Sequence, residues 1–361
     1  MSAAFPLART GTPVADTDRE AILADPGFGR HFTDHMATAR WTSEGGWQDH
    51  QVEPLAPFSL HPAAAVLHYA QEIFEGLKAY RHADGGVHLF RPEMNARRLA
   101  HSAHRMALPQ LPEPDFLASV DALVRADEPW VPAHGGEQSL YLRPYMFATE
   151  AYLGVRPSFE VRYAVIASPS GLFFPNGVVG VTLWISTEFT RAAPGGTGDA
   201  KCGGNYAGSL AAQREAHDHG CDQVLYVDAV ERRWLDESGT MNVFAVTSTG
   251  ELLTPPLGTI LAGVTRTSVL DLATDHGLTP VERPISVDEL RAGAESGAIT
   301  EVFAAGTAAV ITPIVAFKST TADFTVADGQ PGKTTLAIRE NLLDIQYGRT
   351  PDTRGWLHRV V

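Results

Sequence analysis

Apolar and polar positions change period several times along the chain, and each change marks an element. Residues 1–61 alternate turn formers with short apolar stretches and carry Phe28, Phe32, Trp41 and Trp47, so this segment is expected to be ordered but irregular. Residues 63–74 suit a strand or a short helix. Residues 76–80 and 87–90 read as a hairpin around Ala83, Asp84, Gly85 and Gly86. Pro92 suits a helix start, and Met94, Leu99, Ala103 and Met106 recur at helical spacing until Pro109 stops the run. A second helix is expected over residues 116–124, then strands over 140–147 and 160–168.

The pattern then breaks. Ser168, Pro169, Ser170 and Gly171, with Pro175, Asn176 and Gly177 after them, are turn formers that continue neither neighbour, so residues 168–177 read as a linker. Beyond it, strands are expected over 178–187, 223–228 and 242–247. Helices are expected over 205–219, 268–276 and 336–347. No repeat period or low-complexity tract occurs. At 361 residues the chain exceeds the size at which one core keeps growing. The fold expected is therefore α/β (α+β) in two domains: a small one over 1–167, the linker 168–177, and a larger one over 178–361.

Composition narrows the class. Hydrophobic residues at 44% and charged residues at 19% describe a globular chain able to bury a core. Lys and Arg number 28 against 42 Asp and Glu, for a net charge of -14, and no basic run forms a phosphate-tracking stripe. Nucleic acid is thus not an expected partner. No signal peptide or membrane span is read, and Cys202 and Cys221 make neither a disulfide framework nor a metal-binding spacing. A cytoplasmic location is expected, and no metal.

Chemistry concentrates in three short stretches. The first is Gly198-Asp199-Ala200-Lys201-Cys202-Gly203-Gly204-Asn205-Tyr206, where glycines on both sides let backbone approach a ligand around one lysine. Burial and neighbouring cationic charge can make such an amine neutral enough to attack a carbonyl. Taken alone, Lys201 reads as a solvated loop lysine. The second is Leu235-Asp236-Glu237-Ser238-Gly239-Thr240-Met241-Asn242, in which a carboxylate on a glycine turn can hold a proton on a pyridine nitrogen. The third, residues 259–267, precedes a helical run, and its amides and hydroxyls suit an anion at a helix N-terminus.

In this order, the three stretches resemble the fold-type IV pyridoxal-phosphate enzymes, and the first two are close to branched-chain amino-acid aminotransferase forms. Phe74-Glu75-Gly76-Leu77-Lys78-Ala79-Tyr80, Leu89-Phe90-Arg91-Pro92, Tyr141-Leu142-Arg143-Pro144 and residues 301–308 also have counterparts in the larger subgroup of that family. The resemblance covers most of the chain from about Asp34.

It implies pyridoxal 5'-phosphate as cofactor, in a cleft between the two domains. Lys201 is then the catalytic Schiff-base lysine and the proton carrier. Tyr206 would bond the ring oxygen and Glu237 the ring nitrogen. Arg98, Val264 and Thr265 would hold the phosphate, and Thr307 is a further cofactor contact. Arg98 is favoured over Arg97 by its distance from Arg91-Pro92. Tyr69, Phe74, Tyr141, Arg143, Thr240 and Ala308 would contact substrate, phenol rings offering both an apolar face and a hydroxyl. The implied reaction moves the amino group of leucine, isoleucine or valine to 2-oxoglutarate, giving glutamate, in a homodimer. Ala309 and Thr312 stand where some members carry a Cys-x-x-Cys pair, so that thiol switch is not expected; Ala262 replaces a usual proline.

Rival readings are weaker. Gly332-Lys333-Thr334-Thr335 suggests a P-loop, but Ala327 stands where the first glycine belongs and Pro331 removes an amide. His101 and His104 lack a carboxylate partner for a metal hydrolase. D-amino-acid aminotransferases and aminodeoxychorismate lyases are generally shorter and lack the long N-terminal segment.

Overall fold

The structure, a computed structural model, describes residues 3–174 and 177–361. Met1 and Ser2, and Pro175 and Asn176 of the expected linker, lie outside the described residues. Contacts divide the chain into two compact units: residues 1–172, 200–203 and 344–361 form one, and residues 173–199 and 204–343 the other.

The first unit opens with α1 (Asp16–Ala24), β1 (His35–Thr42), β2 (Gly46–Pro54) and α2 (Ala65–Tyr69). It continues through β3 (Glu72–Phe74), β4 (Leu77–Arg81), β5 (Val87–Phe90), α3 (Pro92–Arg105), α4 (Glu113–Ala126), β6 (Ser139–Ala148) and β7 (Glu160–Ser170). The second has β8 (Val181–Ser186), α5 (Gly203–Asp218), β9 (Gln223–Val227), β10 (Leu235–Ser238), β11 (Met241–Thr247) and β12 (Glu251–Thr254). After these come α6 (Val264–Leu272), β13 (Thr279–Glu282), α7 (Val287–Ser296), β14 (Ile299–Gly306), β15 (Val310–Lys318), β16 (Phe324–Thr325) and α8 (Lys333–Gln346). A final strand, β17 (Leu357–Arg359), returns to the first unit.

In the first sheet the order is β17-β5-β4-β6-β7-β1-β2, with β3 added on β6. The irregular segment expected before residue 61 instead supplies β1 and β2, which pair with each other, and β1 lies against β7. Its polar content hid them: β2 reads Gly-Trp-Gln-Asp-His-Gln-Val-Glu-Pro, with only Val52 buried. Pro169 also lies inside a strand, paired with Leu140 on β6. The pairing of β7 with β1 has ended at Val165, so an imide without N–H costs no bond on that side.

Helix α3 starts as Pro92 predicts, behind Arg91 in a left-handed conformation. Its buried residues Asn95, Ala96, Arg98, Leu99, Ser102 and Ala103 form one stripe, which joins the core of Ile73, Leu77, Leu140, Val161 and Phe116.

The second sheet runs β10-β9-β8-β15-β14-β11-β12-β13, and β10 also pairs with β11, so its path closes on itself. Closure removes strand edges. Side chains such as Leu183, Leu225, Val243, Val302 and Phe317 fill one core, and Phe244, Val269, Phe303 and Ile338 form another. Among the described residues, no helix is long and apolar enough to cross a membrane.

Candidate active site

Within the first unit, β3 and α3 position Lys201. The Phe74 amide donates to the Lys201 carbonyl at 2.9 Å, and the Lys201 amide donates to Ser102 Oγ at 2.9 Å. Glu72 accepts the Gly203 amide. A Cβ on Gly203 would meet that carboxylate, so a larger residue there would have to displace the Glu72 side chain. The Lys201 Nζ lies 4.7 Å from the centre of the Phe74 ring, and the Arg143 guanidinium lies 4.8 Å from the same ring. Arg143 also donates to the Tyr141 hydroxyl at 3.1 Å.

A pocket of about 250 Å³ opens beside these groups, lined by Phe28, Phe32, Tyr141, Arg143, Ile166 and Ala167 among others. The Phe28 ring meets Tyr141 edge-on at 5.2 Å. Arg143 Nε is buried without a hydrogen-bond partner among the described residues. An apolar wall with one unsatisfied cationic donor suits a ligand that carries both a hydrocarbon side chain and an anion. The Tyr69 hydroxyl donates to the Leu153 carbonyl.

Arg98 is held from below by Glu75, which is fully buried. Its Nε and Nη2 donate to the two carboxylate oxygens at 2.7 and 2.8 Å, and Asn95 Nδ2 adds a third bond at 2.8 Å. Burial works to raise the Glu75 pKa, but the charge and bonds of Arg98, the Lys201 charge and the Asn95 amide leave it below the ordinary value. Stranding either member of such a pair costs about 3–5 kcal/mol.

The second unit carries the remaining candidates, several of them at one end of its sheet. Glu237 on β10 is buried; Arg191 stands 3.0 Å from its Oε2, and Asn242 Nδ2 donates to its Oε1 at 3.0 Å. The same amide donates to the Leu261 carbonyl at 3.0 Å, which ties β11 to the turn before α6. Gly263 precedes that helix with no side-chain cap, and a Cβ there would strike Asn242 Oδ1. Val264 and Thr265 form the first turn, both buried. Thr240 sits in the β10–β11 turn, and Thr307 and Ala308 in the β14–β15 turn. Because Asn242 pairs with Ala305, the two turns share one end of the sheet. Tyr206 occupies the first turns of α5, half-buried.

Each unit by itself carries groups whose chemistry fits part of pyridoxal phosphate: in the second, an uncapped helix start suited to a phosphate and a carboxylate set by a cation suited to a ring nitrogen; in the first, an amine suited to a carbonyl. Sequence reading missed Phe28 as a pocket wall, and it missed Glu72, Glu75 and Arg191. Glu75 stood in a motif already singled out, but nothing local pairs it with Arg98. Arg191 lies in an irregular stretch with no periodic signal.

The stretch at residues 332–335, set aside as a P-loop on its sequence, is occupied by a side chain. Glu301 occupies the start of α8, its carboxylate accepting the Thr334 and Thr335 amides at 3.0 and 2.7 Å and the Thr335 hydroxyl at 2.7 Å. Its carboxylate already caps the amides that a phosphate would use. His101 and His104 are exposed on α3, and among the described residues no cluster could hold a metal ion.

Comparison with known proteins gives the same direction throughout. The family model described as amino-transferase class IV matches residues 72–317. The chain is 54% identical to a branched-chain-amino-acid aminotransferase of Mycolicibacterium smegmatis, over 99% of this chain and 98% of that one. It is 55% identical to a probable branched-chain-amino-acid aminotransferase of Streptomyces coelicolor, over 96% of each. Among solved structures, the T.th. branched-chain amino acid aminotransferase with pyridoxamine 5'-phosphate superposes with a TM-score of 0.73 at 28% identity. That match covers 90% of this chain and 99% of the other.

Proposed function

Because the chain belongs to the class IV aminotransferases, among the branched-chain-amino-acid aminotransferases, with pyridoxal phosphate as cofactor, we propose that it moves the amino group of L-leucine, L-isoleucine and L-valine to 2-oxoglutarate. The products are the branched-chain 2-oxo acids and L-glutamate. The observation that carries this reading is the face around Phe74, where Lys201 and Arg143 both lie against one ring beside an apolar pocket.

Bound pyridoxal phosphate supplies an electron sink and amino-group carrier that no side chain provides. Lys201 is the residue whose amine bonds the cofactor and carries the proton taken from the substrate Cα. Glu237, fixed by Arg191 and Asn242, accepts the ring-nitrogen proton, and Tyr206 donates to the ring oxygen. Arg98, Val264, Thr265 and Thr307 bind the phosphate end. Phe28, Tyr69, Phe74, Tyr141, Thr240 and Ala308 receive the aliphatic side chain, while Arg143 takes the distal carboxylate when the substrate is glutamate or 2-oxoglutarate.

A homodimer is part of the proposal. Leu153 and Val155 are 63% and 86% exposed on a loop that Arg156 braces, paired with Glu150 and set over the Tyr152 and Phe159 rings. A second copy would cover this aliphatic tip, and a monomer mass by light scattering would refute that part.

The central test is spectroscopic. The purified protein should show a visible cofactor band that L-leucine discharges and 2-oxoglutarate restores with release of glutamate. A band insensitive to L-leucine but discharged by D-alanine would sink the reading. Lys201→Ala should abolish turnover; full activity in that variant would overturn the catalytic assignment.

A further inference from the structure

Glu72 has no part in the roles above, yet it shares a face of β3 with Phe74, two residues on. Gly203, two residues from Lys201, donates its amide to this carboxylate. Opposite Phe74 on β6 is Tyr145, and two residues before it Arg143 reaches over the Phe74 ring. The charge of Arg143 on β6 acts on Glu72, and Arg143 makes no ion pair among the described residues. Of the other cations near β3, Lys201 lies over the Phe74 ring and Arg98 of α3 is held by Glu75. Burial raises the Glu72 pKa, and the Gly203 amide and the Arg143 charge offset only part of that rise.

Arg143 therefore faces one internal carboxylate at a distance and has a buried donor to spare. A second carboxylate brought to the same guanidinium would make two anions share one cation, and in a poorly solvated site such a pair keeps a proton. An aliphatic side chain brings no such charge.

We propose that Glu72 and Arg143 together form a proton-linked selector: docking of a dicarboxylate's distal carboxylate on Arg143 draws one proton from solvent onto Glu72, whereas docking of a branched aliphatic side chain draws none. This rests on the reading that Arg143 takes that distal carboxylate. It assigns Glu72 as a positioning residue for substrate choice and lets pH weight one half-reaction against the other.

The test uses the holoenzyme and two unreactive acids, glutarate and 4-methylvalerate, titrated calorimetrically in buffers of different ionisation enthalpy. Glutarate should take up more protons than 4-methylvalerate, and its affinity relative to 4-methylvalerate should fall about 3- to 10-fold from pH 6.5 to 8.5. Glu72→Gln keeps an acceptor for Gly203; it should erase both differences and bind glutarate more tightly at pH 8.5. Equal proton uptake for the two acids in the unmodified enzyme overturns the proposal without any variant. So does an unchanged pH dependence in Glu72→Gln that retains its cofactor band. Arg143→Gln separates the underlying reading: it should lose the glutarate site, and undiminished glutarate affinity would refute the role of Arg143 itself.

Discussion

Two neighbouring carboxylates on β10 show how much a residue's behaviour depends on what it meets. Glu237 has Arg191 and Asn242, whereas Asp236 is buried with Oδ2 unpartnered among the described residues. Burial, then the charges of Glu237 and Asp228, push the Asp236 pKa up to about 7, against the pull of Arg191. An acid raised in the folded state stabilises fully below its unfolded value, near 3.8 here, and loses that contribution as pH climbs through about 7. Asp236→Asn should therefore stabilise the protein at pH 8 by about 2 kcal/mol, half the full conversion of the shift, and change little at pH 4. Thermal melts at the two pH values check this; equal Tm shifts at both would contradict it. The sequence made the glutamate legible through its glycine turn. It said nothing of Arg191, because a loop arginine acquires its partner only when the chain folds.

Elements were legible where one physical rule dominated. Asp84, Gly85 and Gly86 between alternating segments specify the β4–β5 hairpin, and Pro92 starts α3. They were illegible where polar residues line a strand, as in β2, or where a proline falls beyond a neighbour's reach, as at Pro169. The pairing of β5 with β17 was equally hidden, and it carries its own pH response. His88 on β5 stands opposite Arg359 and stacks on His82 at 3.9 Å. Burial, then His82 and Arg359, depress the His88 pKa to about 4, with Asp84 opposing and His358 adding slightly. Burial likewise lowers His82, countered in part by its bond to Gln346 and by Asp84, with His134 and Arg359 adding to the fall. The histidines are neutral in the fold, so their contribution is whole above about 6.5 and fades as pH falls toward about 4. Protection of the β17 amides, measured as observed exchange relative to the intrinsic rate at each pH, should fall as pH drops over that window, and His88→Gln should weaken the effect. Exchange that tracks the intrinsic rate alone would refute it.

At the scale of the molecule, both thiols are sealed in cores, Cys202 at 1% and Cys221 at 5% exposure, and burial also raises the Cys221 pKa. Native protein should resist an aromatic disulfide reagent at neutral pH and release both thiols only on unfolding; rapid labelling of either while activity persists would contradict this burial. By their contacts, residues 344–361 return to the first unit. Chain order gives that return a temporal meaning. During synthesis β5 is made early, while its partner β17 emerges only after every strand of the second unit. Until then β5 presents open backbone donors and acceptors to any strand nearby, the hazard that sheet edges carry. The unit that starts first on the ribosome is thus the one completed last.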